Sequence, residues 1–219
     1  MMRLIPMQSL AMSRQLNNPW LRPGRRGFLA ALGAGALSLG AGRPARAFSV
    51  NEARNLIQAL VDDINAVIYS GKSEAAMISD FERIFDRYAD VDIIARSALG
   101  PPARSASAAQ MNTYIAAFKG YIARKYGKRF RDFDGGRIRV EDARPLKSFY
   151  EVITTAFLKG EKPFQVRFHA SDRGGRPLFF NIVIEGVNML ATERTEIGAM
   201  LDQNGGSIDR LSEALRRAG

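Results

Sequence analysis

The chain has 219 residues, with 32 Lys and Arg against 22 Asp and Glu, a single histidine and no cysteine. A sequence without cysteine excludes disulfides, thiolate metal sites, cysteine nucleophiles and a lipid-modified N-terminal cysteine. One histidine is too few for the usual zinc centres or for a two-histidine metal site. The formal charge of +10 would suggest nucleic-acid binding, but most of the excess lies in one terminal segment.

Residues 1–47 have the composition of an export signal. They carry seven arginines and neither an acidic residue nor a lysine. Arg25-Arg26 precedes an apolar Ala/Leu/Gly run over residues 30–42, and Ala45-Arg46-Ala47 has the pattern of a cleavage site. The twin arginines predict the twin-arginine route to the periplasm, with cleavage after Ala47. A retained membrane anchor is the alternative, although a spanning helix needs ~20 apolar residues.

The remaining residues, 48–219, are predicted to form one domain of ordinary charge. They hold 25 basic and 22 acidic residues, a formal +3, so no nucleic-acid partner is expected. About 170 residues can bury roughly two-thirds of the unfolded surface around a single core.

Four amphipathic helices are predicted at the start of this domain, because apolar residues recur there at intervals of three and four. The first ends at Gly71, and the third is stopped by Gly100-Pro101-Pro102. Their predicted N-terminal caps are Ser49 in a capping box with Glu52, then Ser73, Asp90 or Asp92, and Ser105 or Ser107.

After Gly136 the period of the apolar residues changes to two, which predicts strands over residues 137–143, 149–158, 163–170 and 178–189. Turn residues at 159–162 and 172–175 indicate hairpins, so the sheet should be antiparallel. Gly186 could mark a bulge inside the last strand. Two helices, over residues 192–203 and from Ser207 to Leu215, complete an α+β domain with helices on one face of the sheet.

Few residues offer catalytic chemistry. His169 lies out of phase with Val166 and Phe168 in its predicted strand, so it should face the opposite side of the sheet. No G-x-S-x-G or phosphate-binding glycine motif occurs, and acidic pairs such as Glu193 with Glu196 fall on predicted solvated helix faces. We therefore expect no enzyme activity, no metal and no cofactor.

The apolar residues allow two interpretations. A packed core is the ordinary one for aliphatic and aromatic residues on helix and strand faces. The segment from Leu178 to Ile184 is nearly continuous in apolar residues, so both of its faces need covering. A sheet closed around an apolar ligand would also satisfy that need.

A series of short motifs runs from about Phe81 to the C-terminus. They are Phe85-Asp86-Arg87-Tyr88-Ala89-Asp90, Ala95-Arg96, Leu99-Gly100, Ser105 to Gln110, Phe118-Lys119-Gly120-Tyr121, Tyr126, Glu185-Gly186-Val187-Asn188-Met189, Thr192-Glu193-Arg194-Thr195-Glu196 and Gly205-Gly206-Ser207-Ile208-Asp209-Arg210-Leu211. In their order and spacing these motifs resemble the MlaC family, also called the toluene-tolerance auxiliary family.

The resemblance implies a periplasmic phospholipid-binding component of an ABC transport system that maintains outer-membrane lipid asymmetry. Its sheet would be curved, of about four strands, with an apolar cavity between sheet and helices. Lipid would pass between an inner-membrane ABC transporter complex, with its membrane-anchored lipid-binding subunit, and an outer-membrane lipoprotein complex. Arg or Lys near the mouth would balance the phosphate. The implied cavity residues are Phe81, Phe85, Met111, Ile115, Phe118, Val152, Val166, Phe168, Ile182, Ile184, Val187 and Met189.

The chain also departs from the family pattern. Pro101-Pro102 follows the Leu-Gly pair where an aromatic residue is common, and Leu178 and Asn181 stand where Trp and Asp are frequent. These departures suggest a divergent branch, such as the hopanoid-associated relatives. The alternative function is a non-enzymatic adaptor of a membrane lipid system, with a solid core and no ligand cavity.

Overall fold

The computed structural model of this protein describes residues 48–128 and 136–219, so the predicted export signal lies outside the described residues. Helices come first, strands follow and helices end the chain, as the sequence predicted. The elements are α1 Val50–Ile68, α2 Glu74–Tyr88, α3 Val91–Leu99, a 3₁₀ turn at Pro101–Arg104, α4 Ala108–Gly127, β1 Arg137–Leu146, β2 Phe149–Phe157, β3 Phe164–Ser171, β4 Leu178–Ile184, β5 Val187–Asn188, α5 Met189–Gln203 and α6 Ile208–Arg217.

Side-chain caps fix where the helices begin. Ser49 Oγ accepts the Glu52 N–H at 3.3 Å, and the Ser49 N–H donates to the Glu52 carboxylate at 2.9 Å, which completes the predicted capping box. Of the alternatives for the third and fourth helices, the structure uses Asp90 and Ser107, each accepting a backbone N–H of its own first turn. The predicted starts of α1 to α4 are therefore confirmed.

The five strands form one antiparallel sheet in the order β1-β2-β3-β4-β5. Its register shifts between Val140 and Asp142 on β1, and between His169 and Ala170 where β3 pairs with β4. Bulges of this kind bend a strand and increase its twist. Helices α1, α3 and α5 contact the sheet, whereas α4 packs mainly on α2 and α6.

The predicted last strand, 178–189, was too long. Glu185 and Gly186 have φ values of 48° and 87°, and they reverse the chain so that Val187 pairs with Ile184. Two positive φ angles at the centre of a two-residue loop are those of a type I′ hairpin turn. Val187 therefore lies on a fifth, very short strand, and α5 begins at Met189 with Asn188 as its cap.

A short link between α2 and α3 joins the helices to β4. The Asp90 N–H donates to the Phe179 carbonyl at 2.8 Å, and Ala89 forms a parallel bridge with Phe179. Arg176, in the loop before β4, donates from its guanidinium to the Arg87 carbonyl at the end of α2. These bonds hold the end of α2 beside the start of β4.

Replacing Gly186 by alanine tests the hairpin turn. A Cβ at Gly186 would meet no atom within 4 Å, so the change acts through the left-handed backbone alone. We expect the free energy of unfolding to fall by about 1–2 kcal/mol in urea denaturation. Gly198→Ala, inside α5 and equally free of contacts, is the control and should raise stability by ~0.5–1 kcal/mol. Equal effects at the two positions would contradict the turn assignment.

Candidate functional site

A cavity of about 640 Å³ lies between the sheet and the helices. The helices contribute mostly aliphatic side chains, namely Leu60, Ile64, Phe81, Ile84, Phe85, Ile94, Ile122, Met189 and Leu190, together with Tyr126. The strands and their loops contribute Ile138, Leu158, Phe164, Val166, Phe168, Phe179, Phe180, Asn181, Ile182 and Ile184. The exposed residues Glu161, Glu185 and Val187 belong to the same lining, so the cavity reaches the surface there.

The strand register explains why one face of the sheet is apolar here. Val166 pairs with Ile184 and Phe168 pairs with Ile182, so these four side chains share one face of β3 and β4. Ile182 and Ile184 stay only partly buried, although both pack against the core. The helices opposite do not cover them completely, which leaves apolar surface facing the cavity.

Eight of the twelve residues expected in the cavity line it in this structure: Phe81, Phe85, Val166, Phe168, Ile182, Ile184, Val187 and Met189. Val187 stands at the exposed rim, with 55% of its surface accessible, because the hairpin turn places it on the short edge strand β5.

The other four, Met111, Ile115, Phe118 and Val152, are not among the described lining residues. Met111 and Phe118 are buried in the core, because α4 turns its apolar stripe toward α2 and α6. Ile115 is partly buried against that core. Val152 is fully buried beside α1, which contacts β2.

Sequence reasoning missed several lining residues. Leu60 and Ile64 belong to the long apolar stripe of α1, which gives no sign of which members meet a cavity. Tyr126 was noted in a family motif but was not assigned to the cavity, and Glu193 was expected on a solvated helix face. That expectation is wrong, because Glu193 is only 4% exposed and lines the cavity.

Glu193 belongs to a polar cluster that joins α4 to α5. One of its carboxylate oxygens accepts from Lys125 Nζ at 2.7 Å and from the Tyr126 hydroxyl. Lys125 also donates to Glu196, whose side chain is 44% exposed. Burial opposes the Lys125 charge, yet the bonds to Glu193 and Glu196 raise its pKa overall, so the ammonium stays charged.

Burial also raises the pKa of the Tyr121 hydroxyl to about 12, and the nearby Glu193 carboxylate acts in the same direction. Tyr121 and Tyr126 therefore remain neutral donors beside the carboxylate at physiological pH. The cluster therefore holds the Lys125 ammonium between two carboxylates, with the Tyr126 phenol lining the cavity.

His169 faces the other side of the sheet from Val166 and Phe168, as its phase in β3 predicted. Its ring centroid lies 4.7 Å from that of Phe149, with the two rings tilted by 41°, and its Nδ1 lies 3.3 Å from the Asn181 amide nitrogen. Burial lowers the pKa of His169, although Glu151 at 3.6 Å opposes that shift. Glu151 itself is held by Arg144 at 2.6 Å. Asn181 belongs to the cavity lining, whereas His169, Phe149, Glu151 and Arg144 are not among the described lining residues.

Two glutamate substitutions can distinguish a cavity wall from a packed core. Val152, Phe168 and Ile182 lie side by side across β2, β3 and β4, but Val152 is fully buried. Ile182→Glu should cost about 1–2 kcal/mol, because water in the cavity can hydrate the carboxylate. Val152→Glu should cost at least ~4 kcal/mol, because its charge has no such contact.

The measurement is urea unfolding of both variants and the unmodified protein, followed by circular dichroism. A loss at Ile182 as large as that at Val152 would show that the β4 face is packed as tightly as the core.

No helix within residues 48–128 and 136–219 is long and apolar enough to cross a membrane. A family model described as MlaC protein matches residues 55–217. The fold is similar to that of the phospholipid-binding protein from Ralstonia solanacearum, whose structure was solved in complex with a phospholipid. The two chains are 17% identical, and the alignment covers 75% of this chain and 95% of the other, with a TM-score of 0.65. Since the family model spans nearly the whole described domain, this chain belongs to the MlaC family.

Proposed function

We propose that this protein binds a phospholipid and carries it through the periplasm between membrane complexes. The observation that carries the proposal is the apolar cavity of about 640 Å³ that reaches the surface at Val187. Its volume falls within the roughly 300–1,000 Å³ of ligand-binding pockets. The Ralstonia solanacearum protein of similar fold holds a phospholipid, which supports the same ligand class here.

The energetics of tail burial suit a carrier. Each buried methylene contributes ~0.8 kcal/mol, so about ten of them reach the free energy of a micromolar complex. The aliphatic and aromatic lining described above can bury the tails without any reacting group. Such binding is tight enough to keep the lipid from water and reversible enough to release it at a membrane.

The membrane complexes that supply and receive the lipid are also part of the proposal. We expect an inner-membrane ABC transporter complex, with its membrane-anchored lipid-binding subunit, at one side and an outer-membrane lipoprotein complex at the other. Docking at the rim around Glu161, Glu185 and Val187 would bring the cavity opening to the partner. An adaptor with a solid core, the alternative considered from the sequence, would make no use of this cavity.

Native mass spectrometry of the protein purified from its own periplasm tests lipid binding directly. We expect one bound lipid per chain, and extraction should identify it as a phospholipid rather than a polycyclic hopanoid. Ile184→Trp fills part of the cavity and should lower the bound fraction several-fold. Gln165→Trp, on an exposed position of the neighbouring strand, is the control and should leave binding unchanged. Protein that neither carries nor takes up lipid would refute the proposal.

Export by the twin-arginine route is tested separately. Replacing Arg25 and Arg26 by lysine keeps the charge of the segment but removes the twin-arginine signal. We expect the precursor to accumulate in the cytoplasm, as seen by fractionation and immunoblotting. Unchanged periplasmic accumulation would show that another route is used.

A further inference from the structure

A path of hydrogen bonds leads from the outer face of the sheet to the opening of the cavity, and Asn181 is its central residue. Asn181 is buried and belongs to the cavity lining. Its side-chain oxygen accepts the backbone N–H groups of Ile182 at 2.9 Å and Leu190 at 3.2 Å. Leu190 lies in the first turn of α5, where a backbone N–H has no partner within the helix. Asn181 therefore caps α5 from β4, in addition to the cap that Asn188 provides.

The two backbone donors fix which way the Asn181 amide points. Because its oxygen faces N–H groups, its nitrogen must be the atom that faces His169 Nδ1 at 3.3 Å. The amide nitrogen can only donate, so Nδ1 has to accept and the proton of the neutral ring is on Nε2. Protonation of Nδ1 would place two donors face to face. Turning the amide over would give no relief, because its nitrogen would then face the Ile182 and Leu190 N–H groups.

The charged groups around His169 leave its ring neutral at neutral pH. Glu151 of β2 lies 3.6 Å from Nε2 and favours the protonated ring. The same carboxylate is already paired with Arg144 of β1 at 2.6 Å and lies 3.5 Å from Arg167 of β3. Arg167 opposes protonation of the ring, and β4 contributes the uncharged Asn181. Burial of the ring is the largest influence, and it lowers the pKa of His169 below its ordinary value.

We propose that His169 is a pH-sensitive positioning residue: its protonation breaks the bond to Asn181, loosens the first turn of α5 and speeds the release of bound lipid. The inference rests on the lipid-binding function proposed above. The first turn of α5 contributes Met189 and Leu190 to the cavity lining, and it directly follows β5, which carries Val187 at the rim. A shift of this turn therefore changes the wall beside the opening.

The direction of the pH effect follows from linkage between proton and lipid. The loaded form needs the start of α5 in place, so it favours neutral His169 and has a lower pKa for this residue than the open form. Retention of the lipid is therefore complete above the ordinary histidine pKa of about 6.5 and is lost as the pH falls through the pKa of the loaded form. One hydrogen bond typically changes an equilibrium constant about two- to tenfold, so we expect release to accelerate about fivefold.

Lipid release at two pH values tests the proposal. The values are about pH 7.5 and about pH 5, on either side of the ordinary histidine pKa. The protein is loaded with phosphatidylglycerol that has deuterated acyl chains and is mixed with an excess of phosphatidylcholine vesicles. Native mass spectrometry then counts the deuterated lipid left on the protein at intervals. We expect the loss to be about fivefold faster at the lower pH, with circular dichroism showing a folded protein at both values.

His169→Asn tests the assigned residue. The asparagine oxygen can stand where Nδ1 stands and accept from the Asn181 amide, but it does not titrate. We expect this variant to release lipid slowly at both pH values. Glu196→Gln is the control, because it removes a titratable group of α5 that is absent from the described lining. It should keep the acceleration at the lower pH.

Proton NMR measures the linkage directly. The chain has a single histidine, so in untagged protein the ring C–H signals that titrate near neutral pH belong to His169. We expect the pKa of His169 to be lower in protein loaded with phosphatidylglycerol than in empty protein.

The outcomes separate this inference from the function on which it rests. Equal release rates at the two pH values, or equal pKa values in loaded and empty protein, would overturn the coupling. Acceleration that persists in His169→Asn or disappears in Glu196→Gln would overturn the assignment to His169, as would fast release by His169→Asn at the higher pH. Protein that takes up no phosphatidylglycerol would instead overturn lipid binding itself.

Discussion

The cavity depends on where the chain reverses after β4. Two consecutive residues with positive φ, Glu185 and Gly186, end the strand and return the chain at once along its edge. Only this short return allows α5 to start at Met189, beside the inner row of Ile182 and Ile184. A strand that continued to Met189 would have moved the start of the helix away from the opening.

The polar cluster around Lys125 anchors α5 to α4. Lys125 of α4 holds two carboxylates of α5, Glu193 and Glu196, one turn apart on the same side of the helix. The Glu193 carboxylate is buried beside the cavity, and the Glu196 carboxylate is partly exposed to solvent. The cavity wall thus contains, besides the exposed Glu161 and Glu185, a buried carboxylate that is stabilised by a lysine of the neighbouring helix.

Features that depend on residues close together in the sequence could be predicted from the sequence alone. The helix order and the antiparallel sheet were predicted, and the caps of α3 and α4 were narrowed to two candidates each, because these features depend on residues close in sequence. The position of Glu193 was not, because its burial depends on a lysine 68 residues away. Met111 and Phe118 show the same limit: their apolar stripe predicts burial, but whether it faces a helix or a cavity is decided by packing between distant elements. Gly186 carried a signal for a turn, and an Asn-Gly or Asp-Gly pair would have made it stronger.

The partly covered isoleucines of β4 also connect ligand binding with folding. Apolar surface that stays open in the empty cavity contributes nothing to the folded state until a ligand covers it. A ligand that binds the folded chain but not the unfolded chain shifts the folding equilibrium by an amount that grows with its concentration relative to its dissociation constant. With the proposed lipid bound, the melting temperature of this protein depends on the ligand as well as on the sequence, and loaded and empty molecules in one preparation should melt separately.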